Sequence, residues 1–296
     1  MSYLSVPGAD LYYQVSGSGP VLLLIAGGTD DARDFTGIAP LLEDAFTVVA
    51  YDCRGSSRSR LDGPPGDIAI DTHADDADRL LRAVGDQPGF VFGTSSGGQV
   101  GLALATRCPG LVRVVVAHEP PAVGLLPPGD PRHRAVPQVC EVYRREGVGP
   151  AMLAFIAGAG LRCVRHPDRH TPESREAAVQ TQKRLVRIEQ NLDHFFAHVI
   201  LPAATYVPDV AALRSVSARV VVGVGDASAG QMAHDTGLAL AQRLGSQPAT
   251  FPGGHAGFVS HPVAFAKKLR EVLQQADEGH ALAVTRTAES PRVKVP

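Results

Sequence analysis

Phe90-Val91-Phe92-Gly93-Thr94-Ser95-Ser96-Gly97-Gly98-Gln99 decides how this chain is read. A short apolar run, Phe90–Phe92, passes directly into G-x-S-x-G and then into small residues at helical spacing as far as Arg107. In that setting a serine occupies a very tight strand-to-helix turn. Small residues two before and two after it let the backbone approach itself, and the hydroxyl is held at the positive end of the following helix. Ser95 has Gly93 and Gly97 at those places, whereas Ser96 has Thr94 and Gly98. Ser95 is therefore the expected nucleophile. The plainer alternative is a Gly/Ser turn that only caps a helix.

On either side of this turn the chain alternates strand and helix patterns. Strands are expected at Leu11–Ser16, Val21–Ala26, Phe46–Tyr51 and Leu111–Ala117. Helical spacing runs through Phe35, Ile38, Ala39, Leu41 and Leu42, and again over Asp71–Val84 and Gln99–Arg107. Continuous apolar strands belong to a sheet covered on both faces, so the rhythm predicts a doubly wound, mostly parallel α/β sheet. The rhythm stops at Pro120. A Pro- and Gly-rich stretch over 120–131 leads into helical patterns at Val136–Glu146, Pro150–Gly158, Glu173–Gln190 and Asn191–Leu201, whose arginines read as solvated faces. Sheet patterning resumes with Val220–Val224, Met232–Leu244, Ala249–Phe251 and Pro262–Gln275. The expected division is a core of residues 1–120 and 218–276, a helical cap of 121–217, and a polar, loosely ordered tail of 277–296.

Composition narrows the function classes. The chain has 296 residues, 28 Lys plus Arg and 30 Asp plus Glu, for a net charge of −2. That balance argues against a nucleic-acid footprint or a polybasic membrane surface. The hydrophobic share of 44% suits a globular chain. No apolar run approaches the roughly 20 residues that span a bilayer, and Met1–Pro7 lacks the pattern of a signal peptide. Cys53, Cys108, Cys140 and Cys163 form no CxxC pair, so no structural metal or disulfide framework is expected. A reduced, cytoplasmic chain without cofactor is the expectation, and the sequence leaves room for a homodimer. There is no Trp, so any pocket must be built from aliphatic side chains, Phe and Tyr.

A serine nucleophile needs a base, an acid behind it and donors for the developing oxyanion. His255, in Phe251-Pro252-Gly253-Gly254-His255-Ala256-Gly257-Phe258, comes after the last expected strand in a loop that glycines allow to fold back. Its rival His261 precedes Pro262 at the start of a helix. Two positions compete for the acid. Glu119 ends the strand after the nucleophile helix, in Val116-Ala117-His118-Glu119-Pro120-Pro121. Asp226 lies in Gly225-Asp226-Ala227-Ser228, where a carboxylate is commoner three residues after the glycine and this chain has Ser228. Glu119 is preferred and Asp226 kept as the alternative. The expected oxyanion donors are the backbone N–H groups of Ser96 and of Gly28. The loop Gly27-Gly28-Thr29-Asp30-Asp31 lacks G-x-G-x-x-G and carries two aspartates that would repel a pyrophosphate, so dinucleotide binding is not expected.

Together these residues resemble the α/β-hydrolase superfamily across roughly Tyr3 to Gln275. Asp52-Cys53-Arg54-Gly55-Ser56-Ser57-Arg58-Ser59 is similar to the superfamily's D-x-R-G-x-G-x-S loop, with Ser57 where glycine is usual, and Asp52 there is structural. Within the superfamily the chain most resembles the zearalenone-type lactone hydrolases. The likeness rests on His118-Glu119, on the Gly-rich loop seven residues before Phe35, and on Val259-Ser260-His261-Pro262 with Phe265-Ala266-Lys267. That resemblance implies Ser95, Glu119 and His255 as triad, Gly28 as oxyanion donor, and a small-molecule ester or lactone as substrate. That group holds its macrolactone with a cap Trp, which this chain lacks. A cofactor-free haloperoxidase or perhydrolase, and a ligand-binding receptor on the same scaffold, are the alternative functions.

Overall fold

The computed structural model of the chain describes residues 2–161 and 172–288; Cys163 and residues 289–296 lie outside the described residues. The strands are β1 (Ser2–Val6), β2 (Ala9–Gly17), β3 (Val21–Ile25), β4 (Thr47–Tyr51), β5 (Arg60–Leu61), β6 (Gly89–Thr94), β7 (Val112–His118), β8 (Arg219–Gly225) and β9 (Ala249–Phe251). They form one sheet in the order β1-β2-β4-β3-β6-β7-β8-β9, with β5 paired to β2. From β4 to β9 every neighbouring pair is parallel, while β1–β2 and β2–β4 are antiparallel.

The continuous apolar strands have the expected cause. Alternate residues of β3 and β6 face opposite layers. Leu23, Ile25 and Val91 pack with Ala77, Leu80, Val100 and Leu104 of helices α1 (Ile70–Val84) and α2 (Ser96–Arg107). Leu22, Leu24, Phe90 and Phe92 pack with Phe35, Phe258, Phe265 and Leu269 on the other side. That second layer includes α10 (Pro262–Ala288). The helix continues past Gln275, where the sequence pattern ends it, as far as Ala288. Arg113 of β7 holds the extension through a two-pronged pair with Asp277, at 3.0 and 2.6 Å.

Two other expectations change. The helix expected around Phe35–Leu42 is a pair of 3-10 turns, Ala32–Phe35 and Ala39–Leu41. Pro40 supplies no N–H and cannot sit inside a continuous helix, yet Phe35, Ile38 and Leu42 are still fully buried. The hairpin strand β1 leaves no clear pattern in the sequence, because its residues are mostly exposed.

Between β7 and β8 the chain leaves the sheet for helices α3 (Ala135–Glu146), α4 (Val148–Ala159), α5 (Pro172–His194), α6 (Ile200–Thr205) and α7 (Val210–Ser215). α5 runs unbroken through Asn191 and passes into a π-helical turn at Phe195–Val199. Val136, Val139, Leu192, Phe196 and Ile200 form this insertion's own core. α8 (Met232–Leu244) follows β8, and the short α9 (Gly257–Ser260) precedes α10. No helix among the described residues is long and apolar enough to cross a membrane.

Candidate active site

Ser95, Glu119 and the His255 loop all lie just past the C-terminal ends of parallel strands: β6, β7 and β9. Ser95 has φ 54° and ψ −128°, a region that side-chain-bearing residues rarely adopt. Its backbone is fastened on both sides: its N–H donates to His118 O at 2.9 Å and its carbonyl accepts from Gly98 N at 2.9 Å. The flanking glycines are a steric requirement. A Cβ on Gly93 would stand 2.1 Å from Gly97 O, and one on Gly97 would stand 2.3 Å from Ile25 O. Both collisions are with backbone, which cannot swing aside. Ser95 itself is half-buried.

Glu119 also has a left-handed backbone, φ 48°. A residue before proline normally stays extended, so this conformation is held by its surroundings. Its N–H donates to Gly223 O at 2.9 Å, which continues the β7–β8 pairing one residue past the strand. The turn carries the carboxylate sideways into a fully buried position. There Oε2 accepts from His255 Nδ1 at 2.7 Å, while Oε1 accepts from Gly225 N at 2.8 Å and from Ser228 Oγ. Burial alone would raise the Glu119 carboxyl. The hydrogen bond and charge of His255, with His118 and Ser228 behind them, outweigh it and hold the group at about 2. Asp226 does something else. It is exposed, and its Oδ1 accepts from Gly253 N at 2.8 Å, which ties the β8 turn to the loop of His255. His261 is exposed and bonds to Ser260 Oγ.

The loop after β3 lies against Ser95 and within electrostatic reach of His255. The place a Cβ on Gly27 would occupy is 2.6 Å from Ser95 Cβ, and Asp30 feels the charge of His255. Gly28 has φ 24°, and its N–H donates to Ser96 Oγ at 2.9 Å. A Cβ there would meet the ring of Phe195 at 2.8 Å, so the insertion's π turn lies directly on this loop. Phe195 also belongs to the insertion's core, with Val139, Leu192 and Phe196. A cavity of about 10 Å³, lined by Gly28, Ser96, Cys53, His73 and Val199 among others, adjoins the loop. That is room for about one water-sized group.

Two buried histidines surround this centre without joining it. His118 lies edge-on to Phe251 and Phe265, and burial pushes it down to about 4. His73 is pushed down to about 3, by burial and then by Arg54. Asp52 is structural, accepting from Ala32 N at 3.0 Å and from Arg58 Nε at 2.7 Å. Among the described residues no group of three or more His, Cys, Asp or Glu is gathered to hold a metal ion. Sequence reasoning misses Ser228 as a donor to the carboxylate, although it marks Ser228 as standing where an acid is commoner. It also misses Asn191, Arg184 and Arg187 of α5, which bond to Thr29, Asp30 and Asp34 in and after the loop that follows β3.

Comparison with known proteins agrees with this architecture. Residues 20–139 match the profile described as alpha/beta hydrolase fold. The uncharacterized hydrolase YraK of Bacillus subtilis is 32% identical over 276 residues, covering 92% of this chain and 95% of YraK. Among solved structures, a thermophilic esterase from Thermogutta terrifontis superposes with a TM-score of 0.75 at 22% identity, over 94% of this chain and 100% of that one. The enol-lactonase of Burkholderia xenovorans superposes with a TM-score of 0.65 at 22% identity, over 92% and 100%. At that identity the two structures speak for the fold. The full-length relative, the matched profile and the strained Ser95 turn between β6 and α2 together identify the chain as a member of the α/β-hydrolase family.

Proposed function

We propose that the protein hydrolyses a carboxylic ester or lactone through Ser95, His255 and Glu119 and a covalent acyl-enzyme. The observation that carries this reading is the 2.7 Å hydrogen bond from His255 Nδ1 to Glu119 Oε2, beside a serine held in a strained turn. With Nδ1 donating to the carboxylate, the other ring nitrogen is left as the acceptor a general base needs. His255 takes the Ser95 proton as Oγ attacks the carbonyl carbon. The tetrahedral oxyanion is received by the N–H groups of Ser96 and Gly28. Gly28 N–H already has Ser96 Oγ as acceptor, so the oxyanion competes with that hydroxyl for the donor. The imidazolium, steadied by Glu119, returns the proton to the leaving alkoxide. Water then attacks the acyl-enzyme by the same route and Ser95 is regenerated.

The helical insertion serves as the cap, with Phe195 against the oxyanion loop, and the substrate is a small molecule that needs no cofactor. The sequence resemblance to zearalenone-type lactone hydrolases, and the enol-lactonase among the structural neighbours, support the lactone half of the reading. Without a Trp in the cap, a large aromatic macrolactone loses the stacking platform it has in that group.

A fluorophosphonate probe followed by peptide mapping, then a panel of p-nitrophenyl esters and lactones, tests the proposal. The expected result is a single label on Ser95 and turnover of at least one ester or lactone class. A label elsewhere, or full reactivity with none of the panel turned over, overturns it.

A further inference from the structure

We infer that the cap positions the oxyanion hole: Asn191 and Arg184 of α5 hold the loop that carries the Gly28 donor, and both are positioning residues for catalysis. The inference rests on the acyl-transfer reading above.

Asn191 is 4% exposed, and its amide is fully used. Nδ2 donates to Thr29 O at 2.9 Å and to Ser57 Oγ at 3.0 Å, and Oδ1 accepts from Ser57 N at 2.9 Å. One side chain thus joins three segments distant in sequence: the cap, the oxyanion loop and the loop after β4. Ser57 makes this possible with a left-handed backbone, φ 51°, at the place where the resembling loops carry glycine. That conformation is costly for a serine, and here it presents the N–H to Asn191. The Ser57 hydroxyl passes the connection on by donating to Asp31 Oδ2 at 2.8 Å.

One and two turns earlier on α5, charges repeat the contact. Arg184 donates to Asp30 Oδ1 at 2.7 Å and to Asp34 Oδ1 at 2.8 Å, and Arg187 reaches Asp34 Oδ1 at 3.2 Å. Thr29, Asp30, Asp31 and Asp34 are therefore each tied to the cap, directly or through Ser57. The core holds the same loop through Ala32 N to Asp52 Oδ1 at 3.0 Å, Gly28 N to Ser96 Oγ at 2.9 Å and Ser57 Oγ to Asp31 Oδ2 at 2.8 Å. The Gly28 peptide sits between these anchorages, with Phe195 over it and Ser96 beneath it.

The consequence is kinetic. An oxyanion donor works only if it is aimed at the oxygen before the charge develops. Loosening Thr29 relaxes the adjoining Gly28 peptide, and the loss falls on the transition state more than on the ground state.

The test compares wild type, Asn191→Ala and Arg184→Gln. It uses a p-nitrophenyl ester that the wild type turns over and phenylboronic acid, whose adduct on an activated serine places an oxygen in the hole. Asn191→Ala is expected to lower kcat by about 10- to 100-fold, the range a small misplacement produces. KM should move less than about threefold, and boronate affinity should weaken in proportion to kcat. Arg184→Gln is expected to shift both in the same direction by about 3- to 10-fold. Arg184→Gln decides the matter if Asn191→Ala does not fold. A lower Tm with unchanged kcat and unchanged boronate affinity overturns the inference, since that is the mark of a purely structural contact. A wild type that turns over no ester and takes no label at Ser95 removes the underlying reading instead.

Discussion

Ser228 donates its hydroxyl to Glu119 Oε1. The serine stands three residues past Gly225, the place where the strand after the insertion more often carries the acid. The carboxylate instead arrives from β7, and the vacated place supplies a hydrogen bond to it. With Gly225 N–H on the same oxygen at 2.8 Å, Oε1 is committed to the β8 turn and Oε2 is left for His255.

The division of labour between the two candidate acids is measurable. Glu119→Gln keeps the shape but loses the charge that steadies the imidazolium, so kcat should fall about 10⁴-fold. Asp226→Asn removes only a charge, since the amide oxygen still accepts from Gly253 N, and kcat should stay within about threefold. Steady-state kinetics on one ester decides it, and the opposite ranking would transfer the acid role to Asp226.

The two adjacent serines should part company as sharply. Ser95→Ala is expected to lose at least about 10⁴-fold in kcat while still binding substrate. Ser96→Ala retains its backbone N–H and frees the Gly28 N–H, so it should keep activity within about tenfold. Active-site titration with a fluorophosphonate, alongside kcat, separates these outcomes.

Buried neutral histidines make a prediction about acid stability. His118 titrates near 6.5 when unfolded and near 4 when folded. Between those values the unfolded chain binds the extra proton, so the contribution of His118 is complete above pH 6.5 and is lost as pH falls toward 4. His73 acts in the same direction down to about 3. Asp30, raised from 3.8 to about 6 chiefly by burial, acts oppositely, favouring the fold as pH drops through that interval. The difference between wild type and His118→Phe isolates one group. Relative to wild type, the variant should gain about 1.4 kcal/mol per pH unit between pH 6 and 4 in urea unfolding. A pH-independent difference would mean that His118 is not held neutral.

Gly97→Ala offers a steric test of the nucleophile turn. Its new Cβ would face Ile25 O at 2.3 Å and Ala26 O at 2.6 Å, both backbone atoms. A destabilisation of about 3 kcal/mol or more is expected. Thermal unfolding within a few degrees of wild type would mean that the turn has room to relax.

Much of this is legible in the sequence for a physical reason. Ser95, Glu119 and His255 each sit where the chain turns off the end of a strand, and such junctions leave local traces: glycines two residues either side of Ser95, two prolines after Glu119, a Gly-rich loop around His255. The links between segments leave none. Arg184 and Arg187 read as a solvated face because their partners, Asp30 and Asp34, lie about 150 residues away. Asn191 looks like the start of a helix, and only the fold reveals it as a buried joint. The 3-10 turns near Phe35 are misread for a different cause. Burial alone sets their spacing, and Pro40 breaks the helix that the same spacing would otherwise imply.

Glu119 is immediately followed by Pro120 and Pro121, where the chain departs for the insertion, and Thr236 Oγ1 clasps Pro120 O at 2.8 Å. This bears on anyone who treats the insertion as an exchangeable module for redirecting specificity. A graft joined at Pro120 would rewrite the backbone next to the acid and release the clasp from α8. A donor segment spliced in after Ala122 would inherit the left-handed joint, the proline pair and the clasp intact. The transplant would still need an asparagine to meet Thr29 and Ser57, so an interchangeable insertion for this scaffold must carry its own anchor to the loop after β3.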